Sequence, residues 1–199
     1  MPRSGADARR RLQQAALELF RERGYEATTT AEIAARAGVT ERTFFRHFPD
    51  KREALFDGED AFRAALADGV LAAPEGATPM DAMLSAFRLV EQTIENNRPI
   101  TQPRQAVIAQ TPALRERVLT KTAGLTDALS EALSRRGVER GIAMLAAQVG
   151  MAAFAYATRA WFSEPEPGFD AHLTRAFTEL RDLSSAGGDL KSRLPGAEC

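Results

Sequence analysis

The chain has 199 residues, with 26 Lys and Arg against 27 Asp and Glu and a formal net charge of −1. Bulk charge therefore announces neither a polyanionic partner nor an anionic membrane surface, and the length allows one large domain or two small ones, each with a full core. A lone cysteine, Cys199, excludes a disulfide within the chain and fits a reducing compartment, here the cytoplasm.

The charge is unevenly placed. Residues 1–56 carry 11 Lys and Arg against 8 Asp and Glu, and the remainder carries 15 against 19. A mildly basic head on an acidic body fits contact with a polyanion at one end. No apolar run of signal-peptide type opens the chain.

The elements follow in order. Residues 1–5 read as a tail, and Leu12, Ala15, Ala16, Leu19 and Phe20 give a first helix one apolar stripe up to about Arg23. Thr29 with Glu32 three residues on is a capping box, and Ile33, Ala34 and Ala37 continue as a short helix that Gly38 stops. Thr40 is the next cap. The second short helix, Thr40 to Phe48, places Phe44 and Phe48 on one face as anchors. Two short helices meeting at a glycine turn have the layout of a helix-turn-helix.

In that second helix Arg42 and Arg46 project together, with Phe45 between them and Glu41 beside them. This pattern suits a recognition helix in the major groove of DNA, where an arginine can make a bidentate contact to guanine. Thr40, His47 and Lys51 are candidate phosphate donors. Asp50 with Glu53 predicts a third cap and one helix from Lys51 to about Val70, with Gly58 as its weak point.

Beyond a loop at Leu71 to Ala77, Thr78-Pro79 opens a helix with the stripe Met83, Phe87, Val90, Ile94, which Asn96 to Pro99 should end. A short helix near Pro103 to Gln110 and a long one from Thr111-Pro112 to Gly137 follow. Ile142 to Phe162 is long enough to span a membrane. Its alanines and the interruptions at Gln148, Thr158 and Arg159 make it the central helix of a soluble bundle. One face carries Met144, Gln148, Met151, Ala155, Thr158 and Phe162. The opposite face is rich in small residues. A last helix, about Asp170 to Leu183, precedes a polar tail from residue 186. No strand pattern is present. The fold class is all-α: about nine helices, as a three-helix DNA-binding head over residues 1–56 and an antiparallel bundle over 57–185.

The run LQQAALELFRERGYEATTT, then I-A-x-x-A-G-V, T-x-x-T-F-F-x-H-F and P-x-K-x-x-L, covers about residues 8–56. It resembles the N-terminal domain of the TetR family of transcriptional regulators. The resemblance implies a homodimeric, ligand-responsive repressor of a palindromic operator. Its last two long helices would pair with their copies in a four-helix interface. DNA contacts would fall on Thr29, Thr40, Glu41, Arg42, Thr43, Phe45, Arg46, His47 and Lys51. Two departures stand out. Phe45 occupies a position where the family usually has a phosphate-contacting tyrosine, and Ala31 one where some members carry a base-contacting arginine. Base reading is therefore expected to rest on Glu41, Arg42, Thr43 and Arg46.

Inward faces of the bundle supply the expected lining of a small, largely apolar effector: Phe87, Val90, Ile94, Val118, Met144, Gln148, Met151 and Thr158. Plain core is the competing reading of that Met and Phe stripe. Two histidines and a terminal cysteine form no metal constellation by spacing. No phosphate loop or nucleophile elbow is present either. No cofactor and no catalytic role are expected. Two rival readings are a ligand-blind regulator answering to a protein partner and a helical enzyme or binding module with a relic head.

Overall fold

The structure, a computed structural model, describes residues 5–56 and 58–186. Among them are nine α-helices and one 3₁₀ turn: α1 (Gly5–Arg23), α2 (Thr30–Arg36), α3 (Glu41–His47), the turn Glu53–Leu55, α4 (Glu59–Leu71), α5 (Pro79–Leu89), α6 (Glu91–Gln110), α7 (Pro112–Arg135), α8 (Arg140–Ser163) and α9 (Phe169–Ala186). The described residues include no strand. The expected polar tail lies outside them, apart from residue 186 at the end of α9.

The chain divides into two compact units. The first comprises residues 1–62 and 96–123, the second residues 63–95 and 124–199. The expected boundary near residue 56 thus differs from this division, because a stretch of α6 and α7 packs with the head. Val107, Ile108 and Leu114 from that stretch share one core with Leu12, Ala16, Leu19, Phe20, Ile33, Phe44, Phe48 and Leu55.

Local chemistry sets the head helices. Thr29 accepts from the Glu32 amide, and the Glu32 carboxylate accepts from the Thr29 amide at 2.8 Å. This reciprocal cap is worth on the order of 1 kcal/mol. Gly38 closes α2 with φ +68, a left-handed conformation that glycine adopts without steric cost. The Arg11 guanidinium then donates to the Ala37 carbonyl at 2.9 Å and ties the turn to α1.

In the second unit α8 packs against α5 and α9. The small-residue face of α8 is the buried one: Ala143, Ala147 and Ala157 are fully buried and Trp161 nearly so. A Cβ on Gly150 would stand 2.6 Å from Met83 Cε, so the methionine occupies the space a side chain would need. Phe87 stacks on Phe154 at 4.7 Å between ring centres. The Arg136 guanidinium gathers the carbonyls of Leu71, Ala73 and Pro74. His172 is buried, and its Nε2 lies 2.7 Å from the Glu164 carbonyl oxygen. α8 is also long and apolar enough to cross a membrane by length and composition. Its buried face is the one packed on α5 and α9.

Three boundaries differ from the sequence reading. The helix expected from Lys51 to Val70 is broken, since a single 3₁₀ turn precedes α4 and Gly58 adopts φ +81. Asp50 does cap, accepting from the Arg52 and Glu53 amides at 2.8 and 3.1 Å. The Glu53 carboxylate is drawn away from the expected box, to Arg117 at 2.7 Å. Finally, α5 ends at Leu89, and α6 runs through Pro99 and Pro103 rather than stopping before them. Each proline removes one intrahelical hydrogen bond. The apolar stripe continues unbroken across Val90, so periodicity does not reveal the break there.

Candidate nucleic-acid interface

The head presents α3 by burying one face of it. Phe44 and Phe48 are 0% and 1% exposed, whereas Phe45, between them, is 53% exposed. Burial of each anchor ring stabilises the head by about 2–3 kcal/mol. Their spacing of four fixes the rotation of the helix, so Glu41, Arg42, Phe45 and Arg46 are turned to solvent. Arg42, Thr43, Phe45 and Arg46 together line a shallow surface hollow.

Partners distinguish these arginines from others in the head. Arg36 is bridged to Glu22 at 2.8 Å, Arg23 to Glu32 at 3.0 Å and Arg52 to Asp50 at 2.8 Å. Those carboxyls are held below the ordinary range: Glu22 by the Arg36 guanidinium, and Glu32 first by the Thr29 amide. Arg42 and Arg46 make no hydrogen bond or ion pair among the described residues. Two unpaired guanidiniums four residues apart, flanking an exposed ring, can receive phosphate oxygens or base edges without first breaking an internal bond.

The threonines are partly committed. The Thr29 hydroxyl accepts from the Glu32 amide and donates to the Glu32 carboxylate at 2.9 Å, which leaves no proton for a phosphate. Thr40 caps α3, and its hydroxyl shares one proton with that of Thr43 at 3.0 Å. One hydroxyl proton of that pair stays available.

Lys51 corrects the sequence reading. Its ammonium donates to the carbonyls of Tyr25, Thr28 and Glu26 at 2.7, 2.9 and 3.4 Å. An ammonium has three donors, and all three are in use. Moreover, no α-helix starts at Lys51 to offer a dipole. Lys51 holds the α1–α2 loop rather than standing ready for a phosphate. His47 is half-buried and lies against the first turn of α1 at Gly5.

Two family profiles match the chain. The one described as bacterial regulatory proteins of the tetR family covers residues 12–57, and the one described as the MftR C-terminal domain covers residues 77–184. The chain belongs to the TetR family.

It is a DNA-binding transcription regulator with a helix-turn-helix head. Its relatives include the transcriptional regulator TcmR of Streptomyces glaucescens, 43% identical over 82 residues, which are 41% of this chain and 36% of TcmR. The chain thus matches about a third of that relative's length. A second is named as a mycofactocin biosynthesis regulator, MftR of Mycobacterium tuberculosis. It is 29% identical over 143 residues, 68% of this chain and 72% of that one. Among solved structures, FadR of Thermus thermophilus in complex with lauroyl-CoA superposes with a TM-score of 0.53 at 26% identity, over 96% of this chain and 97% of that one.

TetR-family regulators pair DNA binding with small-molecule binding, and the residues expected to line an effector site differ in burial. Phe87 and Val90 are buried in the second unit, as is Met151, with Ile94 half-buried. Met144, 54% exposed, and the exposed Gln148 are turned outward, because the alanine face of α8 takes the interior. Thr158 donates back to the Phe154 carbonyl of its own helix at 2.8 Å. Val118 packs on the core of the first unit. Within the second unit, Met144 and Gln148 are exposed while Phe87 is fully buried, so those two do not line its interior.

Sequence reasoning missed two arrangements. The Thr30 hydroxyl donates to the Glu41 carboxylate at 2.6 Å and joins the first turns of α2 and α3. Also, Lys121 bridges Glu53 at 3.5 Å and pairs with Glu59, while Arg117 holds Glu53 from the same helix. Both depend on residues brought together by the fold. The first had a local signal, a hydroxyl at the first position of α2 and a carboxylate at the first position of α3. Among the described residues no group of His, Cys, Asp and Glu side chains is placed to hold a metal.

Proposed function

We propose that the protein is a cytoplasmic, homodimeric repressor of a palindromic operator, released by a small, largely apolar ligand, with no catalytic role. The observation that carries this reading is the outward face of α3, with unpaired Arg42 and Arg46 beside exposed Phe45 and Glu41. Glu41, Arg42, Thr43 and Arg46 read base edges, and Thr40 and His47 neighbour the phosphates. Phe45 packs against a thymine methyl or the sugar edge and supplies no hydroxyl to a phosphate, a deficit of about 1 kcal/mol against tyrosine.

Support for a dimer comes from α8. Ile142, Leu145 and Tyr156, spaced along one outward face, are 52%, 56% and 50% exposed, and Leu183 on α9 is 75% exposed. Such a stripe is apolar surface that a second copy would remove from water. One short recognition helix reads few bases, and two held about 34–36 Å apart, or a multiple of it, read a palindrome.

Support for an apolar ligand comes from the fatty acyl thioester bound by the FadR structure and from the apolar character of Phe87, Val90, Ile94 and Met151 here. The stacked Phe87–Phe154 pair favours a second reading, a ligand-blind regulator controlled by a protein partner.

Selection of bound sequences from a random DNA pool tests the first part, followed by titration of the winner at several salt concentrations. A palindrome bound far more tightly than random DNA is the expected result. Weak binding that disappears as salt rises, with no enriched sequence, would leave counterion release alone and refute it. Release of the winning palindrome by lauroyl-CoA or lauric acid, with a raised melting temperature, separates the liganded from the ligand-blind reading.

A further inference from the structure

The recognition surface carries one group that works against DNA binding in general. Glu41 is exposed at the first position of α3, beside Arg42 and one turn from Phe45. A carboxylate among phosphates raises the energy of every complex, whatever the sequence. It is compensated only where it meets a donor.

Glu41 is also held in place. The Thr30 hydroxyl donates to its Oε1 at 2.6 Å, and Thr30 itself is half-buried in the first turn of α2. A carboxylate accepts at about four lone-pair positions, so this bond fixes the group and leaves Oε2 free to accept. Among the described residues no second donor reaches Glu41.

In the major groove the donors are the amino groups of cytosine and adenine. Adenine sets the N7 acceptor beside its amino group, which repels a carboxylate. Cytosine has a C5–H on the open side of its N4 amino group, where adenine has N7; the paired base's carbonyl oxygen flanks both amino groups alike. We propose that Glu41, positioned by Thr30, reads a cytosine in each operator half-site, and that its charge gives selectivity at the expense of affinity for random DNA. This rests on the DNA-binding reading above. Thr30 is a positioning residue and touches no base.

The competing account is structural: the Thr30–Glu41 bond only joins two helices, and Glu41 only complements the positive end of α3. Four proteins separate the two: wild type, Glu41→Gln, Thr30→Val and Thr30→Ser. Each is put through selection from a random pool. Titrations follow with the winning site, with single-base variants of it and with random DNA. Melting temperatures are recorded beside them.

The expected result is a cytosine enriched at one position of each half-site by the wild type. Glu41→Gln then loses about tenfold of the discrimination at that position alone, and binds random DNA more tightly than the wild type. Thr30→Val loses part of the same preference, and Thr30→Ser, which keeps the hydroxyl, restores it. A cytosine preference that survives Glu41→Gln overturns the proposal. So does a uniform weakening at all positions that follows a lower melting temperature. A palindrome with no cytosine dependence sinks this inference and leaves the DNA-binding reading standing, whereas no enriched sequence at all overturns both.

Discussion

The Lys51 ammonium lies 4.3 Å from the centre of the Tyr25 ring and donates to the Tyr25 carbonyl at 2.7 Å. With its further bonds to Thr28 and Glu26, it fastens the loop between α1 and α2 to the segment that follows α3. Lys51→Ala removes a charged donor from three carbonyls and should cost the head about 2 kcal/mol. The slope of operator affinity against salt should stay the same, since no phosphate contact is lost. Thermal melting and a salt titration check this. A flatter slope at unchanged stability would return Lys51 to the phosphates.

Neighbouring phenylalanines should behave oppositely. Phe44→Ala empties a fully buried position and should destabilise the head by about 3–5 kcal/mol. Phe45→Ala removes a ring that is already 53% exposed. Stability should change by less than about 0.5 kcal/mol, while operator binding weakens. Melting curves and operator titrations of the two variants decide it. Loss of stability in both would mean that the α3 surface is core rather than interface.

This pair also shows how far the sequence could be read. The spacing of Phe44 and Phe48 sets which side of α3 is buried, and that spacing is visible in one dimension. So are the Thr29–Glu32 box and the Gly38 turn, because caps and turns involve residues a few positions apart. The faces of α8 could not be assigned the same way. Both are apolar, and the choice between Met144–Gln148 and Ala143–Ala147 is made by how closely α5 and α9 approach, as Met83 against Gly150 shows. Gly58 was legible as the weak point of the helix expected from Lys51, but a full break there was not. The break reflects Glu53 being drawn to Arg117 and Lys121, more than sixty residues away in sequence.

That cluster makes the head sensitive to acid. Burial pushes the Glu53 carboxyl up, but the Arg117 hydrogen bond and the Lys121 charge outweigh it, and the group lies below the ordinary carboxylate range. A carboxyl with a depressed folded-state pKa contributes stability above its unfolded value of about 4.3, and that contribution is lost as pH falls through the folded value. Glu53→Gln should therefore melt below the wild type at neutral pH. The gap between the two should narrow below about pH 4. Melting temperatures at pH 7 and in the acid range test the sign. A gap that is constant across pH would show that the ionised form of Glu53 contributes nothing.

The apolar stripe of α8 gives a test of assembly that is independent of DNA. Leu145 is 56% exposed, so Leu145→Arg should leave the fold of a single copy intact, within about 0.5 kcal/mol. If two copies meet on this face, the variant places two unpaired charges in the seam and should be a monomer by sedimentation at concentrations where the wild type is a dimer. Operator affinity should fall with it, because two half-sites are no longer read together. A variant that remains dimeric would move the interface elsewhere.

Two arginines of the head separate base reading from fold stabilisation. Arg36 chelates Glu22 and also reaches Glu18 at 3.4 Å, all on the exposed surface. Arg42 has no such partner among the described residues. Arg36→Ala should lower stability by at most about 1 kcal/mol and change the operator preference at no base. Arg42→Ala should leave stability nearly unchanged and cost about 1–3 kcal/mol of operator binding, with preference relaxed at one position of each half-site. Sequence selection with both variants distinguishes them. Because the two residues carry the same charge within the same small head, a general loss of positive potential would affect both alike. An effect confined to Arg42, at a single base position, can only come from where its guanidinium points.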